Sequence, residues 1–214
     1  MTERSFSSID ELIISLDNGM RTVFGRPHST DRKRPGEALP EAELEETDRR
    51  RIEGLMRVNH AGEVSAQALY QGQALAARDH VIREKLNRSA QEENDHLHWC
   101  EDRLHEVGGH TSRLNLMWYL GSFGVGVLAG LAGDRWSLGF LAETERQVVR
   151  HLDDHLQRLP AHDSRSRAIV TQMKEDEGHH ATVAIENGAA ELPWPVRRAM
   201  SMVSRVMTRT AYYL

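Results

Sequence analysis
From about residue 48 onward, apolar side chains recur at steps of three and four and seldom at steps of two. That period belongs to helices packed along one face and leaves little room for strands. Four long helices are predicted, over 47–77, 82–107, 136–159 and 164–190. Gly108-Gly109 ends the second, Pro160 ends the third, and Pro193 and Pro195 lie beyond the fourth. A separate amphipathic helix is predicted over 1–25. Ser8 and Glu11 have capping-box spacing there, and Ile9, Leu12, Ile13, Leu16, Met20, Val23 and Phe24 recur at helical intervals. Residues 26–47 carry three prolines, many charges and little that is apolar, which reads as a flexible linker. The last stretch, 196–214, is again amphipathic, with Val196, Met200, Val203, Met207 and Leu214 on one side. The expected fold is all-α: a four-helix bundle over 48–214 with additional N-terminal, central apolar and C-terminal helices.

Each of the four long helices breaks its own apolar stripe once, and with the same residue type. The first runs Ile52, Met56, Ala66, Tyr70, Ala74 and includes Glu63. The second runs Leu86, Ala90, Leu97, Cys100, Leu104, Val107 and includes Glu93. The third runs Leu138, Leu141, Val148, Leu152, Leu156, Leu159 and includes Glu145. The fourth runs Val170, Met173, Ala181, Ala184, Gly188 and includes Glu177. In the second and fourth helices a histidine follows three residues later, His96 and His180. An i, i+3 pair shares one helix face, about 60° apart around the axis.

These breaks come out level. If the first helix turns back near Asp79, the path from Glu63 rises about 24 Å and returns about 21 Å to Glu93 at 1.5 Å per residue. The turn at Pro160 splits the path from Glu145 to Glu177 in the same way. Two such antiparallel hairpins would converge four carboxylates and two imidazoles at one depth. Four bare carboxylates there would each cost several kcal/mol. Two divalent cations with neutral histidines balance them. A glutamate from each of two helices plus Glu-x-x-His from the other two is the pattern of ferritin-like di-iron or di-manganese bundles. Oxygen-rich ligands with only two imidazoles favour Fe or Mn over Zn or Cu. The candidate metal ligands are therefore Glu63, Glu93, His96, Glu145, Glu177 and His180. His60 and His151 are candidate catalytic, substrate-side groups, and Asp95 and Asp176 could orient the imidazoles. His98, His105, His110, His155 and His162 read as surface residues.

Composition narrows the partners. The chain has 214 residues with Lys+Arg 27 against Asp+Glu 32, a net charge of -5 and no long basic block, so no nucleic-acid partner is expected. A single cysteine, Cys100, excludes a disulfide framework, a cysteine-rich zinc module and a rubredoxin-type iron centre, and fits a reducing compartment. No signal peptide is visible, and no Gly-x-Gly-x-x-Gly follows a strand, so an external reductant is expected.

The segments Arg57-Val-Asn-His-Ala-Gly-Glu63, Gln91-Glu-Glu-Asn-Asp-His-Leu97, Glu143-Thr-Glu145 and Asp176-Glu-Gly-His-His180 resemble the demethoxyubiquinone hydroxylases of ubiquinone biosynthesis, bacterial members in particular. The likeness covers about residues 48–214 and departs at Leu152, where some relatives carry tyrosine. Transferred by motif, it implies the same six ligands, two Fe ions and O2 as co-substrate. It also implies the reaction, ring hydroxylation of a polyprenylated methoxy-methyl-benzoquinol.

Residues 114–133 form a run of twenty without a charge, in principle long enough to cross a bilayer. A single crossing would put Glu63 and Glu93 on one side and Glu145 and Glu177 on the other, so the metal site excludes it. The expectation is a membrane-facing segment, 114–142, that dips into one leaflet with Trp118, Tyr119 and Trp136 at headgroup level and lets an apolar quinol enter sideways. The corresponding location is peripheral, on the cytoplasmic face of the bacterial inner membrane, with a second copy or other ubiquinone-biosynthesis proteins as conceivable partners. The competing readings are a ferritin-like iron-handling protein or peroxidase, and a non-catalytic membrane-associated scaffold.

Overall fold
The structure of the protein is a computed structural model that describes residues 8–30 and 32–214. Residues 1–7, and the side chains of Ser8, Ile9, Glu11 and Leu12 with their capping pair, lie outside the described residues. Seven helices and no strand are found among the described residues: α1 (Ser8–Phe24), α2 (Glu46–Ala76), α3 (His80–Glu106), α4 (Asn115–Leu131), α5 (Asp134–Arg158), α6 (Ser164–Glu186) and α7 (Trp194–Tyr213). The four predicted long helices are α2, α3, α5 and α6. The last ends four residues sooner than the predicted 190, because Gly188 takes φ +91° and Ala189 N–H returns to the Ala184 carbonyl. This left-handed stop frees Ala190 N–H to donate to the Arg135 carbonyl, 2.8 Å away at the start of α5.

The two hairpins α2–α3 and α5–α6 form the bundle, with turns fixed by carboxylates. Asp79 caps α3 by accepting from Val81 N–H at 2.7 Å, and Asp134 accepts from the N–H groups of Arg78 and Asp79 at 3.1 and 3.0 Å. Asp134 thereby pins the first turn to the start of α5. Since α3 ends at the opposite end of the bundle, the chain must travel its full length to begin α5. The uncharged segment makes that journey as α4, parallel to α2. Contact is close enough to require glycine: a Cβ on Gly126 would stand 2.4 Å from the Leu69 carbonyl oxygen, and one on Gly72 would stand 2.4 Å from that of Phe123. Gly121 and Gly124, by contrast, have nothing within 4 Å of a Cβ. The outer face of α4 is apolar, with Leu116, Met117, Leu120, Val125, Leu128 and Leu131 exposed. The expected aromatic rim is only partly realised. Trp136 is exposed, but Tyr119 is buried and donates to Gln71, and Trp118 packs against Val58, Ala61 and Ala211. Their helix positions face α2 and α7 rather than outward. No helix among the described residues is long and apolar enough to cross a membrane.

Residues 26–30 and 32–45, read as part of a linker from composition, run along α3 and α6. Arg26 pairs with Glu101 at 2.7 Å and also with Asp102, Arg32 pairs with Asp176 at 2.8 Å, and Arg34 pairs with Glu106. Arg103, with a side chain fully shielded from solvent, is the knot of this contact. It donates to Glu41 at 2.8 Å, Glu106 at 2.9 Å, Ser166 at 2.8 Å and Asp163 at 3.0 Å, and so joins the segment to α3 and to the capping residue of α6. Removing one member of a buried charge network strands the others and costs about 3–5 kcal/mol. Arg103→Ala is therefore expected to lower unfolding stability by that amount in urea. A loss under about 1 kcal/mol would show that water satisfies Asp163 and Ser166 instead.

Candidate metal centre
Two apolar clusters occupy the two ends of the bundle. One contains Ile52, Met56, Cys100, Leu104, Leu152, Leu159, Val170 and Met173; the other contains Tyr70, Ala74, Leu86, Leu138, Leu141 and Ala184. Glu63, Glu93, His96, Glu145, Glu177 and His180 lie between them along each helix, all buried. Here the stripe-breaking residues of four helices share one level.

His96 Nδ1 lies 2.9 Å from Glu93 Oε2, 3.4 Å from Glu177 Oε1 and 3.8 Å from Glu63 Oε2. One ligand-type atom from each of these four residues falls within 4.8 Å of the others. His180 Nδ1 lies 3.1 Å from Glu93 Oε1 and 3.6 Å from Glu177 Oε2. Glu145 accepts the Tyr70 hydroxyl at 2.9 Å and faces Glu177. Glu143, two residues earlier, points away and accepts from Gln147 and Arg150 instead.

Both imidazoles turn Nδ1 inward and Nε2 outward. His96 Nε2 meets Asp176 at 2.9 Å, and His180 Nε2 meets Glu92 at 2.8 Å. In each case the outer carboxylate is the residue just before the glutamate of the opposite Glu-x-x-His pair. Asp176 thus takes the orienting place expected for it. Asp95 does not: it accepts from Thr30 N–H at 2.8 Å and from the Thr30 hydroxyl. Sequence reasoning missed Glu92 and Tyr70. Glu92 is readable from the recurrence of Glu-x-x-His in the second and fourth long helices, since it precedes Glu93 as Asp176 precedes Glu177. Tyr70 had no signal beyond its place on an apolar stripe.

The electrostatics are those of a desolvated cluster. Burial, with Glu93 and Glu177 nearby, pushes the Glu63 carboxyl well up; burial and the Glu177 charge do the same to Glu145. Burial would also raise Glu93, but the two imidazoles outweigh it and hold this carboxyl low. Burial would lower His96 and His180, yet the surrounding carboxylates push both up. At Asp176 burial is outweighed by hydrogen bonds from His96 and Arg32, which hold it down to about 2. Protons thus stand in for positive charge in the cluster. Even so, Glu93 Oε1, Glu145 Oε2, Glu177 Oε2 and His180 Nδ1 are buried without a hydrogen-bond partner. Buried polar atoms are seldom left so. Inward-facing orphan oxygens and an imidazole nitrogen are the donor set that hard or borderline divalent cations take, so the residues fit a metal pair.

A four-helix bundle with one long crossover and a buried carboxylate–imidazole layer defines a ferritin-like carboxylate protein. The family model described as "Ubiquinone biosynthesis protein COQ7" matches residues 50–211. A relative from Nitrosococcus oceani named 3-demethoxyubiquinol 3-hydroxylase is 56% identical over the whole of both chains. One of the same name from Nitrosomonas europaea is 58% identical over 97% of this chain and 99% of its own, and one from Acinetobacter baumannii is 53% identical over 99% and 100%. The chain belongs to the ubiquinone biosynthesis protein COQ7 family.

The two histidines expected beside the chemistry stand apart from the centre. His60 is buried, with Glu101 and His105 as its charged neighbours, and its Nδ1 has no hydrogen-bond partner. His151 packs its ring 3.9 Å from that of His155, near Asp154 and Arg158. His155, expected on the surface, is buried because it shares the inner face of α5 with Leu152. Burial lowers both His60 and His151 to about 4. At these two sites the folded state therefore binds fewer protons than the unfolded one between about pH 6.5 and pH 4. The stability each contributes is complete above pH 6.5 and is lost as pH falls to 4, about 3 kcal/mol per group. His60→Gln is expected to flatten the fall in unfolding free energy across that window by about this amount. An unchanged slope would mean that His60 takes up its proton as readily in the folded state as in the unfolded one.

Proposed function
We propose that this chain is a 3-demethoxyubiquinol 3-hydroxylase, an oxidoreductase of ubiquinone biosynthesis that hydroxylates the ring of a polyprenylated benzoquinol. The observation that carries this reading is the buried layer of two Glu-x-x-His pairs and two further glutamates in a chain more than half identical to relatives of that name. Glu63, Glu93, His96, Glu145, Glu177 and His180 would hold two irons. These irons would supply the redox chemistry by which O2 gives one oxygen atom to a ring C–H and the other to water, with two electrons and two protons from an external reductant.

The protein's own part is orientation and exclusion of water. Asp176 and Glu92 face the outer ring nitrogens of the imidazoles, and with the irons bound they would accept the outer N–H, fix the tautomer and leave each Nδ1 lone pair directed inward. Tyr70 holds one oxygen of Glu145 and leaves the other free. The apolar clusters on either side keep the layer dry, so its dipoles and charges act at low dielectric.

The substrate side of the reading rests on the exposed apolar face of α4 together with Met202, Val203 and Val206 of α7. We assign this surface to the membrane interface, on the cytoplasmic face of the inner membrane, where a prenylated ring can be taken up without crossing water. An iron-handling or peroxidase role needs the same ligands but gives this face no purpose.

Two measurements test the proposal. Purified protein is expected to carry close to two irons per chain and to convert demethoxyubiquinol to its hydroxylated product under O2 with reductant, whereas Glu145→Ala retains much less iron and loses turnover. Equal iron in both would remove Glu145 from the centre, and a strain lacking the chain that accumulates no demethoxylated precursor would end the assignment. On vesicles, burial of an exposed leucine is worth about 1–1.5 kcal/mol, roughly tenfold in affinity. Leu120→Asp with Leu128→Asp is therefore expected to weaken vesicle binding by about a hundredfold or more. Unchanged co-sedimentation would move the membrane contact elsewhere.

A further inference from the structure
The two halves of the centre repeat one design. In each, an imidazole Nε2 meets a carboxylate set just before the ligand-type glutamate of the other helix, His96 on Asp176 and His180 on Glu92. One residue breaks the equivalence. Arg32 Nη2 lies 2.8 Å from Asp176 Oδ2, the same oxygen that meets His96. Its guanidinium carbon also stands 5.0 Å over the Trp99 ring, and the centroid of that ring is 5.3 Å from that of His96. Arg32 therefore touches both groups that hold the His96 ring. Glu92 feels the Arg32 charge only through space and as a minor influence, and no guanidinium hydrogen-bonds it among the described residues.

Arg32 is held in place by its own segment, which lies ahead of residues 50–211, the part the family model matches. Two residues earlier, Thr30 grips the buried Asp95 with both its backbone N–H and its hydroxyl. The Asn94 side-chain amide donates to the His28 carbonyl at 2.8 Å. His28, Thr30 and Arg32 thus clasp the surroundings of His96, through Asn94 and Asp95 on α3 and Asp176 on α6.

We propose that this segment is a working part of the metal centre: Arg32 is a positioning residue that makes the two metal positions unequal by sharing Asp176 with His96. A carboxylate facing an imidazole N–H makes that imidazole a stronger donor to a metal. When a guanidinium takes a charge-assisted hydrogen bond from the same oxygen, less of the negative charge reaches the imidazole. His96 is then the weaker donor of the two, and its metal position is biased toward the lower oxidation state.

The inference rests on the iron reading above, and its test separates the two. Full-length protein loaded with iron is titrated potentiometrically, with Mössbauer spectra of the ferrous state. The wild type is expected to show two distinct iron sites. Arg32→Gln, which retains a hydrogen-bond donor without the charge, is expected to shift the ferric-to-ferrous equilibrium of one site about tenfold toward ferric, a drop of about 59 mV for one electron, and to bring the two spectra together. Arg32→Lys is expected to restore most of the difference, and Thr30→Val to shift it in the same direction as Arg32→Gln by loosening the clasp. Two irons in every variant with unchanged potentials and spectra would overturn the role of Arg32 alone. Iron lost from Arg32→Gln with the wild-type potential kept by what remains would also overturn it, since the clasp would then be structural only. A wild type that binds no iron would remove the centre itself and this inference with it.

Discussion
Placing carboxylates in a dry helical interior forces the surrounding protein to supply compensation for each of them. Four glutamates at one level repel one another, and burial takes away the water that would otherwise screen them. The chain answers with two imidazoles whose outer nitrogens are tied to further carboxylates, with one tyrosine hydroxyl, and with burial that pushes the Glu63 and Glu145 carboxyls toward their neutral form. That answer is incomplete, because three carboxylate oxygens and one imidazole nitrogen stay without partners. An interior that leaves such atoms orphaned is arranged for charge it does not itself contain. The apolar clusters at the two ends of the bundle make this tolerable: they supply the burial that stabilises the helices on either side of a layer that does not stabilise them.

The six central residues could be read from sequence because each interrupts a pattern otherwise enforced by packing. A glutamate on a core stripe is a local contradiction, and four of them at matching depths describe a layer before any coordinates exist. Tyr70 was hidden for the converse reason. It satisfies its stripe, and only the position of its hydroxyl reveals a second task. Glu92 and Arg32 lie off the stripes, where charged residues are the rule, so spacing alone gives them no distinction. His155 is the opposite case: its polarity points to the surface, yet it lies on the inner face of α5, buried with both ring nitrogens unpartnered.

Segment 26–45 illustrates how composition and structure answer different questions. Prolines and charges remove helical periodicity, and they do so whether the chain is free or laid against a charged surface. The surface here is specific. Glu101, Asp102, Asp95, Asp176 and Glu106 present acceptors along α3 and α6, and the segment brings Arg26, Thr30, Arg32 and Arg34 to them in order. Most of these pairs are partly solvated and individually worth little. Arg103 differs because it is fully shielded, and it converts a series of weak contacts into a seat with a defined place on the bundle.

The crossover joins the metal layer to the apolar surface through a single requirement of topology. To present Glu-x-x-His from both α3 and α6 with opposed orientation, the second hairpin must start at the end of the bundle where α2 meets α3. The end of α3 is a full helix length away from that point. As a helix, a connection of this length satisfies its own backbone, and that helix lies on the outside of α2 because the interior is already filled. Close approach at Gly72 and Gly126 consumes one face of α4, and Leu116, Leu120, Leu128 and Leu131 remain on the other. In a helix that served only to connect, that outer face would be expected to carry charge, as the outer faces of α3 and α5 do. The connector that lets the carboxylates meet is also the element that gives the molecule an apolar face beside the bundle, and the two cannot be separated without rebuilding the order of the helices.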